Sequence, residues 1–492
     1  MVFASTQFLF WFMPLFFLCY YGIGHFGGLK VKNYILFFFS MIFYSWGEPL
    51  YVLLMIYSTV LDYTCGRMIE HGRNTGKKWL MRLFLGVSLV GNLLPLSLFK
   101  YADMFLLSAN HLFDLSIPAL GLTMPIGISF YTFQTMSYSI DIYRGKFKPQ
   151  KNIIYFGAYV VMFPQLIAGP VLRYSYVVET MNDRKETLSD FTAGMKRFIL
   201  GLAKKIIIAN TMASVCDKLF ILGGNRLGAL GSWIAIIAYT FQIYYDFSGY
   251  SDMAVGMGRM MGFEFPENFI YPYISRSVTE FWRRWHITMS TFFRDYVYFP
   301  LGGSRVKTPR WLLNIVIVWA LTGLWHGASW NFVLWGLYFA AILILEKLLL
   351  HKVLDKTHVV SRIWTMFVVI IGWVLFNATE DHASGLQGMA WLGDYLKAMF
   401  GGFGLQGTVL TPAVTELVYA GVNVVFVIAL AAAVVFSTPI VPFVKRKVGE
   451  MADGGMKTAL CVLGDVACLA LLTVCISELA IGSYNPFIYF RF

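Results

Sequence analysis

Apolar runs of helix length recur along this chain, separated by short polar breaks. A helix needs about 20 apolar residues to cross the roughly 30 Å hydrocarbon layer of a bilayer. Runs that approach this length centre near Phe16, Phe38, Met55, Val87, Val161, Ile236, Ile317, Leu337, Val369, Val427 and Leu469. They predict an all-α polytopic membrane protein with about eleven transmembrane helices. The stretches 118–141 and 196–222 are ambiguous, since spanning, re-entrant and interfacial placements all fit. Residues 383–414 are rich in Gly and apolar side chains and read as interfacial helices and turns on the outer surface. The first run, Phe8 to Ile23, has no basic region before it and no small-residue cleavage site after it, so it reads as a retained helix rather than a signal peptide. No repeat, low-complexity tract or long soluble stretch intervenes. The expectation is one integral-membrane domain over residues 1–492.

Composition strengthens that reading. At 58% hydrophobic and 13% charged residues, the chain carries more apolar surface than a soluble fold can hide. The net charge of +12 does not call for nucleic acid, because the basic residues gather in short loops between apolar runs. One cluster is Arg67, Arg73, Lys77, Lys78 and Arg82; another is Arg144, Lys146, Lys148 and Lys151. A third comprises Arg184, Lys185, Lys196, Arg197, Lys204 and Lys205, followed by 276–310, 347–362 and 445–447. The positive-inside rule assigns all of them to the cytoplasm and the acidic loop at Glu380 and Asp381 to the outside. The helix near Val427 then runs inward, the helix near Leu469 runs outward, and the final peptide 483–492 ends on the external side. Six cysteines show neither CxxC pairing nor zinc spacing with His. Cys461, Cys468 and Cys475 repeat every seven residues, which suits small-residue helix packing.

Candidate chemistry concentrates in two places. His326 interrupts a stretch from Trp311 to Leu345 that lacks Asp, Glu, Lys and Arg. If its helix starts near Arg310 at the cytosolic face, sixteen residues rise about 24 Å and place it past the midplane. Ionisable side chains inside a bilayer are costly and mark functional sites, and imidazole exchanges protons near neutral pH. A buried histidine bonded to a carbonyl for packing fits the pattern equally well. The second place is 276–305, RSVTEFWRRWHITMSTFFRDYVYFPLGGSR. Read as a helix, it pairs Glu280 with Arg284 at i,i+4. Phe281, Trp282, Trp285 and Phe292 then form an apolar face, with Arg283, Arg284, His286 and Arg294 on a polar one. That is an amphipathic helix in or under the cytosolic leaflet. An interfacial anchor would need neither His286 nor Asp295. Pro300 to Ser304 can offer backbone amides to an anion. Asp246 and Asp252 can orient a histidine or bind an arginine, or simply form structural ion pairs. No GxSxG elbow, Walker loop, HExxH or nucleotide fingerprint occurs, which leaves serine-hydrolase and metal chemistry without support.

Together these segments resemble the membrane-bound O-acyltransferase family, and its bacterial alginate O-acetyltransferase branch in particular. The resemblance rests on residues 125–145 (PIGISFYTFQTMSYSIDIYRG), 163–174 (FPQLIAGPVLRY), 245–263 (YDFSGYSDMAVGMGRMMGF), Asn268 with Phe269, the 276–305 block and 324–336 (LWHGASWNFVLWG). These core motifs fall within 120–340. Over 360–492 the likeness is in hydropathy and in the closing peptide YNPFIYFRF.

The resemblance implies helices ringed around a thinned centre, with a cytosolic funnel and an external opening meeting at His326. His326 matches the family's catalytic histidine, and His286 a second histidine on the cytosolic side of the same passage. It implies no bound cofactor. The donor substrate would be acetyl-CoA or an acyl-carrier thioester, attracted by Arg283, Arg284 and Arg294, with Trp285 beside them and Glu280 and Asp295 in support. The implied partners are a polysaccharide acceptor outside the membrane, a second external acetyltransferase subunit and membrane lipid. The implied location is the bacterial cytoplasmic (inner) membrane. By the topology above, Tyr489 lies on the external side, where it can be an acyl relay or an interfacial aromatic anchor. Competing expectations are D-alanyl transfer to teichoic acid and a non-enzymatic polysaccharide transporter or scaffold.

Overall fold

The computed structural model describes residues 1–222, 224–378, 388–401, 417–482 and 484–487, with side chains at 224–226 and 401 excepted. Every regular element among them is helical. They are α1 (Phe8–Gly47), α2 (Val52–Asn74), α3 (Lys78–Phe113), α4 (Ile128–Tyr143), α5 (Ile153–Val161), α6 (Leu188–Leu222), α7 (Leu227–Met260), α8 (Val278–Arg284), α9 (Ile287–Phe293), α10 (Thr308–His326), α11 (Trp330–Lys356), α12 (Val359–Asn377), α13 (Gly388–Gly401), α14 (Val424–Phe436), α15 (Ile440–Gly449) and α16 (Gly455–Ala480), apart from a few single turns. Eight of the described helices are long and apolar enough to cross a membrane; α14 and α15, bent by 61°, make a ninth if they count as one span.

The expected spans fall differently along the chain. Those near Phe16 and Phe38 share α1, which bends at Gly28 (φ +62). The run near Val161 stops after nine residues, where Met162 leaves helical geometry ahead of Pro164. The ambiguous stretch 196–222 lies inside the long helix α6. Of the interfacial stretch 383–414, only 388–401 is described, as α13.

The chain forms two compact units: residues 1–198 with 250–267, and residues 199–249 with 268–492. In the first, α2, α3 and α4 pack together. Asp62 on α2 is buried there, accepting hydrogen bonds from Ser88, Asn92 and Ser139. A buried carboxylate is tolerated when its lone pairs are filled in this way. Asp252 belongs to this unit, where Arg197 bridges it (2.8 Å) to Glu267.

In the second unit α10 and α11 form a tight antiparallel pair. A Cβ at Gly323 would stand 2.2 Å from the Phe332 carbonyl, and one at Gly336 2.2 Å from that of Trp319. Glycine at these two positions is what lets the backbones touch. Cys468 and Cys475 of α16 are buried and Cys461 is exposed.

Candidate active site

His326 is the last residue of α10, and Gly327 leaves the helix in an extended conformation. The half-buried imidazole therefore stands at a helix C-terminus. Trp325 and Trp335 lie with ring centroids 5.0 Å away and Phe376 5.3 Å away, all nearly edge-on. His286 is the fourth ring, at 6.5 Å.

His286 reaches that position through a break in its segment. The expected amphipathic helix is two short ones, α8 and α9, joined by an extended Trp285 and a left-handed His286 (φ +44). A non-glycine residue there is strained and needs neighbours to hold it. Asn268 does so: its carbonyl accepts from Ile287 N (3.0 Å), and Ile270 N donates to Arg284 O (2.9 Å). The Asn268 side-chain oxygen accepts from Thr288 N (3.2 Å) and Thr288 Oγ1 (2.9 Å) and faces His286 Nδ1 at 3.1 Å. A backbone N–H can only donate, so the atom facing it is the amide oxygen, and His286 Nδ1 must carry the hydrogen. Nε2 is then left with its lone pair. Burial holds the His286 pKa at about 3, so the ring is neutral.

The proposed apolar face does not lie in lipid. Phe281, Trp282, Trp285 and Phe292 are buried in the protein. Trp285 packs on Trp373 (4.9 Å) and Phe269 (5.1 Å). Arg284 pairs with Glu280 at 2.7 Å and donates to Ile270 O, whereas Arg283 is exposed. Arg294 bonds Asp295 at 2.8 Å. Pro300 to Ser304 forms turns whose carbonyls at Leu301 and Gly303 accept from the Asn314 amide. Asp246 pairs with Lys205 at 2.6 Å, so Lys205 is a buried helix residue rather than a cytoplasmic loop charge. Tyr489 lies outside the described residues.

A cavity of about 260 Å³ runs along α10. Trp311, Ile315, Val318, Trp319 and Thr322 form its wall on that helix. Their spacing is one helix stripe, and His326, four residues past Thr322, continues it. The wall is about 16 Å long and His326 lies about 6 Å beyond. Trp282, Met289 and Phe293 line the cavity opposite, and Arg294 and Lys347 add two cations. Lys347 Nζ lies 4.4 Å from the centre of the Trp311 ring, the end of the wall remote from His326. An apolar slot with positive charge at one end and imidazole past the other fits a slender chain with an anionic head.

Glu346 of α11, which has no counterpart among the expected site residues, fixes this wall. Its buried carboxylate accepts from Val278 N (2.9 Å), Thr279 N (3.3 Å) and Trp364 Nε1 (3.1 Å), capping α8. The signal available was a carboxylate at the end of the apolar run, beside Lys347.

The family model described as "MBOAT, membrane-bound O-acyltransferase family" matches residues 149–379. A probable alginate O-acetylase of Pseudomonas putida is 38% identical over the whole of both chains. A peptidoglycan O-acetyltransferase of Helicobacter pylori is 31% identical over 80% of each. A teichoic acid D-alanyltransferase of Bacillus subtilis is 28% identical over 52% of this chain and 69% of its own. With both histidines inside the matched region and full-length likeness to an O-acetylase, this chain belongs to the membrane-bound O-acyltransferase family.

Proposed function

We propose that this protein is a multi-pass membrane O-acetyltransferase that takes an acetyl group from a cytosolic thioester and passes it outward for O-acetylation of a polysaccharide. The observation that carries this is the meeting of two histidine rings, 6.5 Å apart, past the end of a slot with two cations in its wall. The donor, acetyl-CoA or an acyl-carrier thioester, lays its phosphopantetheine arm along α10 with phosphates toward Arg294 and Lys347. His326 takes the proton of the attacking hydroxyl as its oxygen bonds the carbonyl carbon. The C–S bond breaks, and the thiolate leaves as a thiol with the proton that His326 had taken. His286, with Nδ1–H committed to Asn268, accepts a substrate hydrogen bond at Nε2. Aromatic walls limit hydrolysis by excluding water.

This reading keeps the passage through a thinned centre, with a cytosolic funnel and an external opening. Eleven crossings follow if α1 divides at Gly28, α10 spans, and α14 with α15 counts once. The inner membrane, a polysaccharide acceptor and a second external acetyltransferase complete it. Tyr489 serves as an acyl relay, its phenol oxygen taking the acetyl group before onward transfer. The acetyl reading is favoured over D-alanyl transfer because the likeness to the O-acetylases covers more of the chain.

The test is transfer from labelled acetyl-CoA by the purified protein. His326→Ala should lower the rate by on the order of 10²- to 10⁴-fold; undiminished transfer would reject the reading.

A further inference from the structure

We propose that the buried Lys205–Asp246 pair is a socket for the C-terminal peptide, gripping its backbone at Pro486. Lys205 and Asp246 side chains are 5% and 1% exposed. A lysine inside a membrane helix is expensive to bury, and one carboxylate does not use its three donors. Lys205 spends another on the Pro486 carbonyl, and its ammonium lies 5.9 Å from the Phe487 ring. Two further rungs run along the same helix: Asn210 Nδ2 donates to Asn485 Oδ1 (3.1 Å), and Tyr484 OH donates to Asp217 Oδ2 (2.7 Å).

The helix is built to line these rungs up. Asp217 and Asn210 are seven residues apart, two turns on one face. Lys205 lies five below Asn210, which an α-helix would turn away. Over Lys204–Ala209, however, α6 widens into a π-turn, with Asn210 N bonding Lys205 O. The wider turn brings Lys205 beneath Asn210, and such turns recur at functional sites. Residues 484 to 487 thus descend α6 from its outer end toward mid-helix. Asp246 also precedes Phe247, whose ring packs 4.7 Å from His286, so α7 links the socket to a ring that touches the site. Lys205 and Asp246 are positioning residues. Their role in delivering the tail rests on the acyl-transfer reading above.

Cysteines at positions 210 and 485 (Asn210→Cys with Asn485→Cys) should be bridged in membranes by a short thiol-reactive cross-linker, and neither single variant should give the product. Lys205→Met with Asp246→Asn removes both charges and strands neither. It should cut the bridging yield several-fold, lower transfer to acceptor by about tenfold and leave the KM for acetyl-CoA unchanged, a split that general loosening would not give. Tyr484→Phe, an exposed change, should lower the yield in the same direction and guards against misfolding of the double variant. No bridging in the native background, or equal yield in both variants, overturns the socket. Mass analysis of the C-terminal fragment separates the two ideas: a docked tail that never carries acetyl ends the relay and leaves the socket standing.

Discussion

At the scale of single residues, His286 depends on the neighbours that hold it, Asn268 above all. Its folded pKa of about 3 lies below the ordinary 6.5 of histidine. Between those values the unfolded chain binds a proton that the native one refuses, so stability falls as pH drops through this window and is flat above it. The wild-type protein in detergent should therefore melt lower at pH 5 than at pH 7.5. His286→Asn, which tolerates positive φ, should lose part of that difference; an identical pH dependence in both proteins would argue against a neutral buried ring. His326 stands out in the sequence as an ionisable side chain in an apolar run, and His286 as a polar group that an interfacial anchor would not need. The work of Asn268 does not. It depends on the Thr288 amide meeting its side chain, which no spacing along the chain reveals.

At the scale of elements, hydropathy made the long helices legible and misjudged the short ones. Residues 276–305 carry an amphipathic pattern, yet their aromatic face is buried by α7, α11 and α12 side chains such as Tyr244, Trp335 and Trp373. Periodicity gives a face and cannot say whether lipid or protein covers it. Nor could it show that α8 begins on the carboxylate of Glu346. Glu346→Ala should cost roughly 1–3 kcal/mol of stability, the price of stripping buried amides of their acceptor. It should also raise the KM for acetyl-CoA, because Thr279 and Lys347 flank the cavity. Glu346→Gln, which retains an acceptor oxygen, should fall between. Denaturation and donor titration check both; an alanine variant matching the wild type in both would remove Glu346 from the site.

At the scale of the whole molecule, composition settled the membrane class before any motif was read. The cavity was illegible, because its wall joins α8, α9, α10 and α11, and only the α10 stripe is periodic in sequence. Filling it gives a direct test. Thr322→Trp should raise the KM for acetyl-CoA on the order of tenfold while the melting temperature moves little, and unchanged kinetics would place the donor elsewhere.

The two compact units are interleaved along the chain. During synthesis the first cannot close until residues 250–267 have followed 199–249 out of the ribosome, so two chain crossings between the units are made before either unit is complete. A fragment cut to the matched region 149–379 would hold neither of them complete.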